Sequence, residues 1–365
     1  MFRLSYHVVA SSLILAGAGV MARQCHNITV PVSLTAQNSV FQVPVPTNDI
    51  ESTNFILNAL QSTRNSGTGT SPAPVYTNIS GQYELATTYC EPDGGPSRVL
   101  QVLTHGIGFD RSYWDFPINA YNYSYVNYAL AHGYSTLSWD RIGLGESTIG
   151  DPLNEIQFAL EVAALRELTL LARGGGGGIP TSYEKVVHVG HSQGSSYTNA
   201  LTSADPTISD GIVLTGFGHV ADFQPWGIIG LHLADAHSRP GMEQYPHGYL
   251  APGDEIAVQT VFFSPGGHFD PAVLDAAYTS AQPVAIGEML TTGPPGVNNM
   301  TGPVAVVTGQ ADIIFCGVDC YATGDLNVSS LLDVSKSYYP KTSAFQPTVI
   351  DGAGHGLNLV SYESM

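Results

Sequence analysis

Lys185-Val-Val-His-Val-Gly-His-Ser-Gln-Gly-Ser-Ser-Tyr197 is the stretch that decides how the rest of the chain is read. The apolar run Val186 to Val189 predicts a buried strand. It breaks at Gly190-His191-Ser192-Gln193-Gly194, a G-x-S-x-G spelling, and Ser195 to Ser203 can continue as a helix. A strand-to-helix turn this tight holds Ser192 in a strained backbone conformation with its hydroxyl projecting. Side chains two residues before and after would collide, so both positions are Gly. The helix that starts there aims free backbone N–H groups at the same point. A bare G-x-S-x-G carries little weight in a Gly-rich chain. With a strand before it and a helix after it, the spelling makes Ser192 the candidate nucleophile.

Working outward, strands alternate with helices. Gly81 to Cys90 and Arg98 to Thr104 read as strands, Tyr121 to His132 as a helix stopped by Gly133, and Ser135 to Trp139 as a strand. Asn154 reads as the cap of a helix with apolar residues at Ile156, Leu160, Ala164, Leu168 and Leu171, ended by Gly174 to Gly178. Asp210 to Thr215, residues 303–309 and Thr348 to Ile350 are further strands. This order predicts an α/β fold, a mostly parallel, doubly wound sheet. Residues 79–217 form the first part of that core and 303–365 the second. Between them, residues 218–302 lose the alternation and read as a helical cap over the site, with amphipathic pieces at Gly253 to Phe263 and Pro271 to Ser280. Residues 23–78 read as an N-terminal extension with short strands at Ile28 to Val32 and Val40 to Val45. It adds a helix within Asn48 to Asn65, opened by Asn48 or Asp49, and a loop from Asn65 to Pro74.

A serine hydroxyl needs a base, and the base needs an orienting carboxylate. In this kind of sheet the chain order is Ser, acid, His, at the C-terminal strand ends. Asp312, which follows the strand Val304 to Val307, is the candidate acid, with Asp319 and Asp325 as rivals in the same loop. His355, between Gly354 and Gly356 past the last strand, is the candidate base. The remaining histidines are scattered, and none of His219, His232, His237, His247 and His268 is assigned a role. Two backbone N–H groups are needed for an oxyanion, and Gln193 and Ile107 are the candidates. His105 is expected to shape the loop before Ile107 rather than to act in chemistry. Asp140 and Arg141 are expected to pair with each other and hold the loop Gly143 to Ser147.

The net charge is −18, with only 12 Lys plus Arg, which excludes the basic footprint of a nucleic-acid binder and docking on anionic membranes. Residues 1–22 read as a signal peptide: Arg3 and His7, an apolar Val8 to Val20, and a small-residue site at Ala22. No later stretch is long and apolar enough for stable membrane insertion. Four cysteines allow three pairings. Cys316–Cys320 would close a small local loop, and Cys25–Cys90 would tie the mature N-terminus to an early strand. Asn27, Asn78, Asn122, Asn299 and Asn327 stand in N-x-S/T sequons, which agrees with a secreted, extracellular glycoprotein.

With these residues together, the chain resembles the α/β-hydrolase fold family. The matching pieces are His105-Gly106-Ile107-Gly108, Asp140-Arg141-x-Gly143-x-Gly145-x-Ser147, Gly190-His-Ser-Gln-Gly194, Gly309-x-x-Asp312 and Gly354-His355. They occur in the family's order across roughly residues 79–357. The leader, the sequons and Cys25-His-Asn-Ile-Thr-Val-Pro-Val resemble secreted fungal serine esterase and lipase-like members. The resemblance implies a Ser-His-Asp ester hydrolase working through an acyl-enzyme on a small-molecule ester or lipid-like substrate, with no cofactor and no metal. Tyr113, Trp114, Phe223, Trp226, Tyr245 and Tyr249 fit either an apolar acyl or aromatic substrate or ordinary cap packing. A lactonase, thioesterase, peptidase or secondary-metabolite tailoring hydrolase would share the triad, and a catalytically idle binding protein would share the fold. Family members carry a terminal helix after the histidine loop, whereas only Gly356 to Met365 follow here.

Overall fold

The computed structural model describes residues 23–65, 75–263, 265 and 269–360. The signal-peptide reading of residues 1–22, nearly all of the 65–74 loop, His268 and residues 361–365 lie outside them. Eight strands form the central sheet: β1 (Gln24–Ser39), β2 (Tyr76–Glu91), β3 (Val99–Thr104), β4 (Ser135–Trp139), β5 (Lys185–His191), β6 (Gly211–Thr215), β7 (Val304–Gly309) and β8 (Phe345–Ile350). Their spatial order is β1-β2-β4-β3-β5-β6-β7-β8. β1 and β2 run antiparallel to each other, and β2 runs antiparallel to β4. All other neighbours are parallel. Parallel neighbours need crossovers, and helices supply them. The order also reverses direction around β3 and β4, the kind of switch point at which open α/β sheets place a ligand beyond the carboxyl ends of their strands.

β1 is longer than its sequence suggests, and β2 begins before residue 79. The two pair over sixteen residues, from Gln24 opposite Glu91 to Ser39 opposite Tyr76. The alternation is real but partly written in small residues: Val30, Val32, Leu34 and Ala36 face inward and the residues between them face water. Pro31 fits because β1 is an edge strand. Val40 to Val45 joins no strand; Pro44 and Pro46 lack the N–H groups a ladder requires. α1 (Asp49–Asn65) follows, with the Asn48 side chain accepting from the Glu51 N–H at 3.0 Å.

α2 (Tyr125–Ala131) starts later than expected, after a left-handed run at Asn119, Ala120 and Tyr121, and is capped by Ser124. α3 (Phe158–Gly174) also starts late. Asp151 caps the preceding turn, and Asn154 accepts instead from the Phe41 N–H, holding the N-terminal segment. α4 (Gln193–Ala204) follows β5 directly. Val30, Leu85, Val102 and Leu137 of the sheet pack with Leu160, Leu165 and Leu168 of α3.

Between β6 and β7 lie α5 (Gln224–Gly230), α6 (Glu255–Phe262), α7 (Pro271–Thr279) and α8 (Ile286–Thr291). Asp254 and Asp270 cap α6 and α7, the two amphipathic pieces. This region also holds a small sheet that the sequence does not announce, with Tyr249–Ala251 between Ala234–Asp235 and Val284–Ala285. Strands of two or three residues are too short to show a period. A four-residue helix, α9 (Ile313–Cys316), follows β7.

Cys25 pairs with Cys90 and Cys316 with Cys320. The five sequon asparagines are all exposed. No helix among the described residues is long and apolar enough to cross a membrane.

Candidate active site

Ser192 stands alone between β5 and α4 with φ 53° and ψ −117°. A Cβ on Gly190 would lie 2.6 Å from the Gly194 carbonyl oxygen, and one on Gly194 would lie 2.1 Å from the Thr104 carbonyl oxygen. Those obstacles are backbone, so the two glycines are steric requirements of the turn. β6 clamps the turn from the other side: the Thr215 carbonyl accepts from the Ser192 N–H at 2.9 Å and from the Ser195 hydroxyl at 2.8 Å.

His355 Nε2 lies 2.8 Å from Ser192 Oγ, and its Nδ1 lies 2.8 Å from Asp312 Oδ2. His355 and Asp312 are fully buried, while Ser192 is partly open. Asp312 is the N-cap of α9, with Oδ1 accepting from the N–H groups of Ile314 (2.8 Å) and Phe315 (3.0 Å), and with Thr308 donating to Oδ2. Burial is the largest influence on the Asp312 carboxyl and works to raise its pKa. The charge and hydrogen bond of His355, with the bonds from Thr308 and Phe315, outweigh it and hold the pKa below the usual carboxylate range. Asp319 and Asp325 are turn residues instead, accepting from the N–H groups of Tyr321 and Asn327. The rings of Phe262, Phe315 and His191 surround His355 at 5.9, 6.0 and 5.0 Å.

Gln193 is the first residue of α4, so its N–H has no acceptor within the helix. Ile107 lies in the turn after β3. The turn sits against Ser192: a Cβ on Gly106 would be 2.8 Å from the Ser192 Cβ. His105 fixes the turn's shape, with Nδ1 donating to the Gly106 carbonyl (2.9 Å) and Nε2 accepting from the Arg141 N–H (3.2 Å). Burial, then the nearby Arg141 charge, holds its pKa well below the ordinary histidine value, so the ring is neutral.

Asp140 and Arg141 do not pair with each other. Adjacent side chains diverge, and each finds a different partner. Asp140 binds Arg111 and accepts from the Glu146 N–H at 3.0 Å, so it does hold the 143–147 loop, but with Arg111 as its cation. Burial, then Asp110, pushes the Asp140 carboxyl up to about 6. Arg141 is buried between Glu288 and Glu161. Of the six aromatic residues, Tyr113, Trp114, Tyr245 and Tyr249 are core, at 2% exposure or less. Trp226, half exposed on α5, packs edge-on against Phe223 at 5.4 Å, and Phe223 packs where a Cβ on Gly317 would stand, just beyond α9. Thr308, Tyr197 and Glu288 were not singled out in the sequence. Thr308 lies four residues before Asp312, a local signal. Glu288 carries none.

Among the described residues no group of His, Cys, Asp and Glu is placed to hold a metal ion. A cleft of about 570 Å³ is lined by Arg23, Asp110, Arg111, Glu146 and Tyr245 among others and does not reach Ser192.

Residues 101–364 match the family model described as "Alpha/beta hydrolase family". No curated protein sequence matches the chain. Similar solved structures include a thermophilic esterase from Thermogutta terrifontis, with 16% identity and TM-score 0.51 over 78% of this chain and 90% of that one. An alpha/beta hydrolase fold protein from Chitinophaga pinensis gives 16% and 0.48 over 77% and 90%. The enol-lactonase from Burkholderia xenovorans LB400 gives 14% and 0.48 over 76% and 91%.

Proposed function

The chain belongs to the alpha/beta hydrolase family, and from that premise we propose that it is a secreted serine hydrolase cleaving carboxylic esters through an acyl-enzyme. The observation that carries the reading is the single imidazole, His355, bridging Ser192 Oγ and Asp312 Oδ2 at 2.8 Å each. His355 Nε2 takes the Ser192 proton as Oγ attacks the ester carbonyl. Asp312 keeps the other ring proton on Nδ1 and stabilises the imidazolium that forms. The backbone N–H groups of Gln193 and Ile107 hold the oxyanion. The tetrahedral intermediate then collapses, the C–O bond to the alcohol breaks, and His355 returns its proton to the leaving oxygen. Water activated by the same ring attacks the acyl-enzyme, the bond to Ser192 Oγ breaks, and the acid is released.

Phe223 and Trp226 beside the Asp312 loop support an apolar acyl group or lipid-like ester as substrate. Secretion is supported by the two cysteine pairs and by the exposure of Asn27, Asn78, Asn122, Asn299 and Asn327. The test is hydrolysis of p-nitrophenyl esters, acetate through palmitate, by the wild type and by Ser192→Ala. Activity in the first and its loss in the second is expected, with the chain-length profile sizing the pocket. Equal background rates from two folded proteins would overturn the ester-hydrolase reading.

A further inference from the structure

We propose that Glu288, acting through Tyr197 and Thr292, is a positioning residue for the backbone N–H of Gln193. The inference rests on the reading of Gln193 as an oxyanion donor and extends it to side chains that touch neither substrate nor nucleophile. It also gives the segment between β6 and β7 a part in the chemistry besides covering the site.

The Gln193 side chain is buried, and its amide nitrogen donates twice, to Tyr197 Oη at 3.1 Å and to Thr292 Oγ1 at 2.6 Å. Both acceptors lead to Glu288. The Tyr197 hydroxyl donates to Glu288 Oε1, and the Thr292 hydroxyl donates to the Glu288 carbonyl oxygen at 2.8 Å. A phenol has one proton and room for two incoming donors. For Tyr197 the proton goes to Glu288, and the donors are Gln193 Nε2 and Arg141 Nη1, the latter at 3.2 Å. The hydroxyl is therefore saturated, and the direction of every bond follows from Glu288 being the acceptor.

Glu288 is held from two sides. Arg141, fully buried, binds its carboxylate. α8 sits directly on core backbone: the Gly287 N–H donates to the Pro152 carbonyl at 2.7 Å, and a Cβ there would lie 2.6 Å from the carbonyl oxygens of Ile156 and Leu153. Thr291 adds a bond, accepting from the Phe158 N–H at 3.0 Å. α8 thus supplies a fixed reference point. Gln193 needs one, because its own N–H makes no intrahelical bond and the residue before it sits at φ 53°. An oxyanion donor works only when it already points where charge will develop. The side-chain tether restrains the peptide that carries that N–H.

The test uses Tyr197→Phe, which keeps the ring against Phe158 (4.8 Å) and the Arg141 guanidinium (5.3 Å) but removes the hydroxyl. Thr292→Val is the second variant and carries the test if the first does not fold. Hydrolysis of p-nitrophenyl acetate is normalised to sites titrated to completion with a fluorophosphonate. Affinity for a trifluoromethyl ketone, which forms a tetrahedral oxyanion adduct on a serine, is measured alongside. In each variant kcat per titrated site falls about tenfold and the ketone binds more weakly by a similar factor. KM stays within about twofold. Unchanged kcat per site and unchanged ketone affinity, with only fewer titratable sites or a lower Tm, would overturn the proposal and leave Glu288 a purely structural residue. A folded wild type that neither hydrolyses the ester nor takes the fluorophosphonate would refute the hydrolase reading itself, and this inference with it.

Discussion

Gly194→Ala tests the steric account of the turn at Ser192. A Cβ at this position would lie 2.1 Å from the Thr104 carbonyl oxygen and 2.6 Å from that of His105, whereas ordinary contact begins at 3.4 Å. The shortfall to the first oxygen is 3.4 − 2.1 = 1.3 Å. Neither obstacle is a side chain that can swing away. Either β3 and its following turn retreat, or the start of α4 does. Both motions widen the gap between Ile107 and Gln193. A displacement of about 1 Å in a reacting constellation costs on the order of 10²-fold in rate. The overpacking itself costs about 1–3 kcal/mol of stability. Gly174→Ala is the matched control. It adds the same methyl group to the last turn of α3, where nothing lies within 4 Å, and should leave activity unchanged while stabilising by up to about 1 kcal/mol. The assay is kcat on p-nitrophenyl acetate per titrated site, with thermal unfolding of both variants. Gly194→Ala retaining wild-type kcat and Tm would refute the argument that this turn admits only glycine.

The site and its supports yield four further predictions. Asp312→Asn should lower kcat about 10⁴-fold with little change in KM, because an amide favours the wrong histidine tautomer. The Asp312 pKa is lower folded than unfolded, so its stabilisation is present above the unfolded carboxylate value and is lost as pH falls through the folded one; the stability gap between wild type and Asp312→Asn in urea titrations should therefore close in acid. Replacing Cys25 and Cys90 by serine should lower Tm more than replacing Cys316 and Cys320: the bridges span 65 and 4 residues, for about 4 and about 2 kcal/mol of loop-closure entropy. Arg141→Met should destabilise by about 3–5 kcal/mol by leaving Glu161 and Glu288 buried without a cation, and Glu288→Gln in the same chain should recover part of that loss in a denaturant melt.

The turn at Ser192 was legible in the sequence because its constraint is local: two glycines, a strand before and a helix after. That Asp312 and His355 would meet Ser192 was legible at longer range because chain order in a parallel sheet fixes which strand ends can meet. The β4 strand matched residue for residue: Gly133 stops the helix before it, and all five of its residues, Ser135, Thr136 and Ser138 included, are buried. β1 was read too short because past Leu34 the inward positions between Thr35, Gln37 and Ser39 are Ala36 and Asn38, and a period written in alanine and asparagine is faint. Arg141 shows the limit most clearly. Its type and spacing marked it as structural, but its partners come from α3 and α8, far away in the chain, and no local pattern points to Glu161 or Glu288. The last turn among the described residues is Leu357–Leu359.

The central claim is that Ser192 is a nucleophile activated by His355. Intact mass and peptide mapping after treatment of the folded protein with a fluorophosphonate test it most directly. The account predicts one phosphonyl group per chain, on the peptide containing Ser192, and no adduct in Ser192→Ala or after prior heat denaturation. An unlabelled folded wild type, or a label carried by a different residue and retained in Ser192→Ala, would contradict it.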